Sequence, residues 1–221
     1  MNETIILETA FRLFTTQGIQ PFTMDEIAAR LAISKKTLYR FFTSRADLVQ
    51  QVCRLVAANF NQALEEADQA DADNLQRVLS HMTVNMDFCK KTSVAFFTDL
   101  QKHYPVEYTH LVHTLNNFIY PRVLKVLEEG IVEGVFRGSL HPQLVVTILQ
   151  QHIQKDFEFA AELVNDYSKD EVFRQALYLF LYGVIAPEAI PRLENELKKY
   201  SFATRLAQPK EIQQIETDQH K

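Results

Sequence analysis

Along the first sixty residues, apolar side chains return every three or four positions, and short capping signals divide them into runs. Ile6, Leu7, Ala10, Phe11, Leu13 and Phe14 mark one helix from about Glu3 to Gln17, and Gly18 stands where a left-handed C-cap is expected. Thr23-Met24-Asp25-Glu26 has the form of a capping box, in which the Thr23 hydroxyl takes the Glu26 N–H and the Glu26 carboxylate reaches back to Thr23. A second helix follows to about Leu31, with Ile27, Ala28 and Leu31 inward. Ala32-Ile33 make a turn, Ser34 caps a third helix, and Ser44-x-x-Asp47 opens a fourth near Arg45 that runs to about Ala67. Helix, tight turn and helix within about twenty residues is the helix-turn-helix arrangement. Five Gly, seven Pro and no strictly alternating β-branched run leave no place for a sheet, so the fold class is all-α.

The rest of the chain repeats the pattern. Asp73-x-x-Gln76 caps a fifth helix to about Lys90, and a sixth spans about Ser93 to Lys102. Pro105 starts a seventh, which Pro121 should kink and Gly138 should stop. Pro142 opens an eighth to about Asn165, Ser168-x-x-Glu171 caps a ninth to about Ile185, and a last piece lies between Ala189 and Tyr200. About nine to ten helices are expected. The organisation read from this is a small helix-turn-helix module at residues 1–50, a larger helical part at 51–207, which the resemblance given below implies is a ligand-binding and dimerisation domain, and a polar, disordered tail at 208–221.

The third helix carries the chemistry. Leu38 and Phe42 lie four apart on its underside, while Lys35, Lys36, Thr37, Tyr39 and Arg40 occupy the remaining surface. From Ser34 through Arg45 there are four basic residues and no acidic one. A short helix with an apolar base and a basic, hydroxyl- and aromatic-bearing top suits the major groove of DNA, although a solvated basic face looks the same in isolation. The net charge of −5 does not oppose this, because residues 1–50 carry +1 and the remainder −6.

Other chemistries find little support. No phosphate-cradling glycine loop, nucleophile elbow or HExxH motif occurs, so no enzyme is indicated, and no cofactor. His103, His110 and His113 with Glu107 lack a second ligand pair for a metal. Cys53 and Cys89 form neither a metal spacing nor a disulfide framework, and make a weak redox switch. The longest apolar stretch, Ala176 to Ala186, is about half of the ~20 residues of a membrane span, and no basic n-region follows Met1, so a soluble cytoplasmic protein with no membrane partner is expected.

Ile6-Leu7-x-x-Ala10-x-x-Leu13-Phe14-x-x-x-Gly18, then Thr23-x-x-Glu26-Ile27-Ala28, then Ser34-x-x-Thr37-Leu38-Tyr39-x-x-Phe42, then Leu48 resembles the DNA-binding module of the tetracycline-repressor (TetR) family. The likeness covers about residues 5–52 in sequence and the rest in layout only. Two positions depart from it. Ala32 stands where the family usually has a turn glycine. Phe41 stands where His or Tyr often contacts phosphate, so that contact is not carried over. The resemblance implies a homodimeric transcriptional regulator, commonly a repressor, that reads a palindromic operator in double-stranded DNA and releases it when a small molecule binds. Lys35, Lys36 and Thr37 are then expected at base edges and Tyr39 and Arg40 at phosphate. Arg45 and Thr23 are expected to offer further phosphate contacts at helix N-termini, capping being the simpler role of Thr23. A helical interaction module that has lost operator binding is the alternative.

The resemblance implies a dimer through the eighth and ninth helices, and Ala176 to Ala186, apolar around its whole circumference, suits that interface or an intramolecular core helix. Phe96, Phe97, Tyr104, Tyr108 and Phe118 lie on the sixth and seventh helices, which the resemblance implies line an effector site for a hydrophobic or aromatic ligand, although an aromatic stripe also suits a core. His152 and Asp156 fall inside the apolar arc of the eighth helix, where they bond each other, bond across the dimer, or anchor that ligand. Gly130-x-x-x-Gly134 is expected to permit close helix packing.

Overall fold

A computed structural model describes residues 2–69, 72–150 and 169–200. The expectations for His152 and Asp156, for the Ser168 cap and for the tail from Gln208 lie outside these residues. The described chain is helical throughout: α1 (Glu3–Gln17), α2 (Met24–Arg30), α3 (Lys35–Phe41), α4 (Arg45–Asp68), α5 (Asn74–Lys91), α6 (Val94–His103) and α7 (Pro105–Val132). There follow α8 (142–150 as described), α9 (Lys169–Val184), a 3-10 turn (Pro187–Ala189) and α10 (Ile190–Leu197). The one extended pairing among these residues is an antiparallel bridge between Phe136 and Ile185.

Side-chain caps start α1 through α6, whereas α7 and α10 begin without one. Both arms of the Thr23–Glu26 and Asp73–Gln76 boxes are made. At α4 the box is displaced by one residue: Ser44 accepts the Asp47 N–H, but the Asp47 carboxylate takes the N–H of Thr43 at 2.8 Å rather than that of Ser44. The end of α7 differs from expectation. The helix runs unbroken through Pro121 and stops at Val132, short of Gly138. Gly134, at φ +76°, sits beyond the cap, its N–H bonds to Ile131 and that of Val135 to Gly130, so this glycine satisfies the last carbonyls and ends the helix first. Gly130 does permit a close approach, but to the Phe136 ring after the turn: an added Cβ would lie 2.4 Å from it.

Two cores result. The first joins α1–α4 to Phe96, Phe97 and Leu100 of α6 and Leu111 of α7. The second is built by α5, the latter half of α7, Phe136, and α8, α9 and α10. The helix-turn-helix therefore does not close its core alone; α6 completes it. No described helix is long and apolar enough to cross a membrane.

Candidate nucleic-acid interface and ligand cavity

α2 ends in the tight turn that aims α3. The N–H of Ile33 bonds to Ala28 and that of Ala32 to Ala29, with Ala32 at φ 52°. This is the same terminus that Gly134 makes, carried here by the only non-glycine residue with positive φ among those described. Leu38 and Phe42 are fully buried beneath α3, which fixes the opposite face outward. On that face Lys36, Tyr39 and Arg40 are exposed. The Arg40 guanidinium lies 5.1 Å over the Phe41 ring, so Phe41 supports a cation although it cannot bond phosphate itself.

The remaining expected DNA contacts are already engaged. Lys35 Nζ bonds Asp25 at 2.9 Å, and this bond raises its pKa; the pair is exposed and separable. Thr37 is half-buried, with its hydroxyl 2.8 Å from that of Ser34. The Thr23 hydroxyl donates to Glu26 and accepts the Glu26 N–H, the capping role; hydrogen bonds from the Thr23 backbone and hydroxyl hold that carboxyl below its ordinary value. Arg45 is half-buried and donates to the Ile19 carbonyl at 2.8 Å, a structural tie.

That tie is one of three at the loop after α1. Gly18 has φ 89° and ψ 170°, outside the left-handed helical region expected of it, and turns the next two amides toward α6. Asp99 Oδ2 accepts from Ile19 N at 2.6 Å and Gln20 N at 2.9 Å. Ser93 N donates to the Thr15 carbonyl at 2.6 Å. A Cβ on Gly18 would lie 2.9 Å from that carboxylate and 3.0 Å from Ala95, so the glycine also admits α6. The reading head is thus fastened to the body through backbone groups.

Within the body, a cavity of about 410 Å³ opens between α5, α7, α8 and α9. Val78, Met82, Met86, Val123 and Phe180 form apolar wall, and His81 and Asn85 are the polar residues in its described lining. His81 Nε2 is 2.7 Å from Asp68 Oδ1 at the end of α4, and Arg122 Nε donates to Asp68 Oδ2 at 2.7 Å. Arg122 also donates to the Phe118 carbonyl at 2.6 Å, so one carboxylate joins α4, α5 and α7.

The aromatic residues expected around a ligand lie elsewhere. Phe96 and Phe97 are buried in the first core, 5.4 Å apart edge to face, and Tyr104, Tyr108 and Phe118 pack partly buried against it. None is among the residues lining the cavity. A sequence signal for His81 and Asn85 exists: they fall between Val78, Met82 and Met86 on one apolar arc, as His152 and Asp156 do on theirs. Cys53 and Cys89 are both buried, and burial pushes the Cys53 thiol up to about 12.

An outward basic helix on a capped turn, joined to a helical body, is the build of a helix-turn-helix transcriptional regulator. Residues 6–52 match the family model of bacterial regulatory proteins of the tetR family. The chain is 25% identical over 192 residues to the HTH-type transcriptional regulator YvaF of Bacillus subtilis (85% of this chain, 97% of that one). It is 24% identical over 190 residues to the HTH-type transcriptional repressor KstR2 of Rhodococcus jostii (84% and 92%). A transcriptional regulator from Saccharomonospora viridis, solved in complex with choline, shares the fold at a TM-score of 0.67 and 19% identity (83% and 97%). Residues 6–52 thus match the DNA-binding module of the TetR family, and the chain is similar over most of its length to transcriptional regulators.

Proposed function

We propose that the protein is a homodimeric repressor that reads a palindromic operator and releases it when a small apolar molecule enters the cavity between α5 and α9. The observation that carries this reading is the face of α3, where Lys36, Tyr39 and Arg40 are exposed above a buried Leu38 and Phe42. Lys36 reads base edges, while Tyr39 and Arg40 hold phosphate. One such head covers few base pairs, so two are needed, about 34 Å apart or a multiple of it. Leu144, Ile148 and Leu179 are exposed, Leu179 at 76%, and this apolar side of α8 and α9 supports the dimer. The repressor relative from Rhodococcus supports the sign of regulation.

Selection of DNA from a random pool by the purified protein tests it. An enriched palindrome is expected, with log–log salt dependence of about −0.9 per phosphate neutralised. Tyr39→Ala weakens all sequences alike, and Lys36→Ala changes the preference among them. Absence of enrichment refutes operator reading, and higher reporter expression in the presence of the protein refutes repression.

A further inference from the structure

The Asp68–His81–Arg122 cluster places a buried imidazole at the cavity. His81 is 2% exposed and lines the cavity from α5. Burial alone would raise the Asp68 carboxyl, but hydrogen bonds from Arg122 and His81 outweigh it and hold the group below its ordinary value. Asp68 is therefore a carboxylate, which only accepts, so His81 Nε2 must carry a proton to bond it. Burial also outweighs the pull of Asp68 on the imidazole and holds it below its ordinary value, leaving the ring neutral at pH 7.5. Nδ1 is then a bare acceptor, buried and without any hydrogen-bond partner. Buried polar atoms in this condition are rare in folded proteins.

We propose that the cavity selects a mainly apolar ligand bearing one hydrogen-bond donor, a hydroxyl or phenol, which His81 Nδ1 accepts. The inference rests on reading this cavity as the effector site. An anionic head group is disfavoured: no cationic side chain is in the described lining, and Arg122 is committed to Asp68 and Phe118. Asn85, one turn beyond His81, is the other polar wall residue and holds a second polar atom of a longer ligand. The apolar remainder of the lining supplies affinity, and the imidazole supplies selectivity.

Calorimetric titration of the full chain with 4-hexylphenol and with 1-fluoro-4-hexylbenzene tests this, because the two match in shape and only the phenol donates. The phenol is expected to bind at least about tenfold more tightly, and His81→Phe to abolish or reverse that preference while the fluoro compound still binds. Nitrogen NMR of the unsubstituted protein gives a readout independent of the variant's folding. The Nδ1 resonance is expected in its unprotonated range at pH 7.5, and to move with the phenol but not with the fluoro compound. Equal affinities, or a protonated Nδ1, overturn donor selection while leaving the cavity as the effector site. Failure of both compounds to bind overturns the cavity reading and the inference with it.

Discussion

Replacing Asp99 by alanine removes the carboxylate that holds the loop after α1, and the structure sets the cost. Its Oδ2 accepts two backbone amides, from Ile19 at 2.6 Å and Gln20 at 2.9 Å. Ile19 is fully buried, so its N–H has no ready water to replace the carboxylate. A hydrogen bond to a charged group contributes about 1.5–3 kcal/mol, and a buried donor left unpaired costs a similar amount. Gln20 is exposed and regains most of its bond from solvent. The sum for Asp99→Ala is about 2–3 kcal/mol, and about 1 kcal/mol for Asp99→Asn, which keeps an acceptor but not its charge. Urea unfolding followed by circular dichroism measures this: with a slope near 3 kcal/mol per molar, the alanine variant unfolds about 0.7–1 M earlier. Amide exchange at Ile19 localises the effect. A loss below about 0.5 kcal/mol with Ile19 still protected refutes the reasoning, since the carboxylate then holds nothing that water does not.

Three further outcomes follow from positions described above. Ala32→Gly relieves a left-handed alanine and stabilises by about 0.5–1 kcal/mol after the larger unfolded-state entropy of glycine, read as a rise in Tm of about 1–4 °C. Gly130→Ala forces a methyl within 2.4 Å of the Phe136 ring, itself buried, and costs about 1–3 kcal/mol in urea unfolding. Burial holds His81 below the ordinary 6.5, so the unfolded chain takes up that proton first. Stability is therefore kept above pH 6.5 and falls as pH drops below it, at up to about 1.4 kcal/mol per pH unit, and His81→Phe removes this component; identical pH profiles for the two proteins refute it.

The helix starts were legible because capping is local: Thr23 with Glu26 and Asp73 with Gln76 need only each other. The exposed face of α3 was legible for the same reason, from Leu38 and Phe42 alone. What the sequence did not disclose depends on residues far apart in the chain. Arg45 reads locally as a phosphate ligand, and its hydrogen bond to the Ile19 carbonyl, 26 positions away, has no local sign. Phe96 and Phe97 have the composition of a pocket wall, yet α1–α4 need them to complete a core. Asp68 and Arg122 give no local sign of sharing a carboxylate, and His81 becomes conspicuous only when they meet. Gly138 and Gly134 compete as stop signals within four residues, and backbone geometry alone decides between them.

The length of α4 has a mechanical consequence. Its 24 residues make a rod of about 36 Å, pinned near Arg45 by Ile19 and ending at Asp68 beside the cavity. Pivoted at its pinned end, such a rod turns by only ~3° when Asp68 is displaced sideways by ~2 Å. For the head to follow that rotation, its ties to α6 through Asp99 and Ser93 would have to move with it. Under the proposed function, a displacement at Asp68 would be geared down into an angle, and in a dimer the two angles would add at the spacing between reading helices. The quantity a ligand would have to set is one number, the tilt of a single rod, and not the shape of the surface that touches DNA.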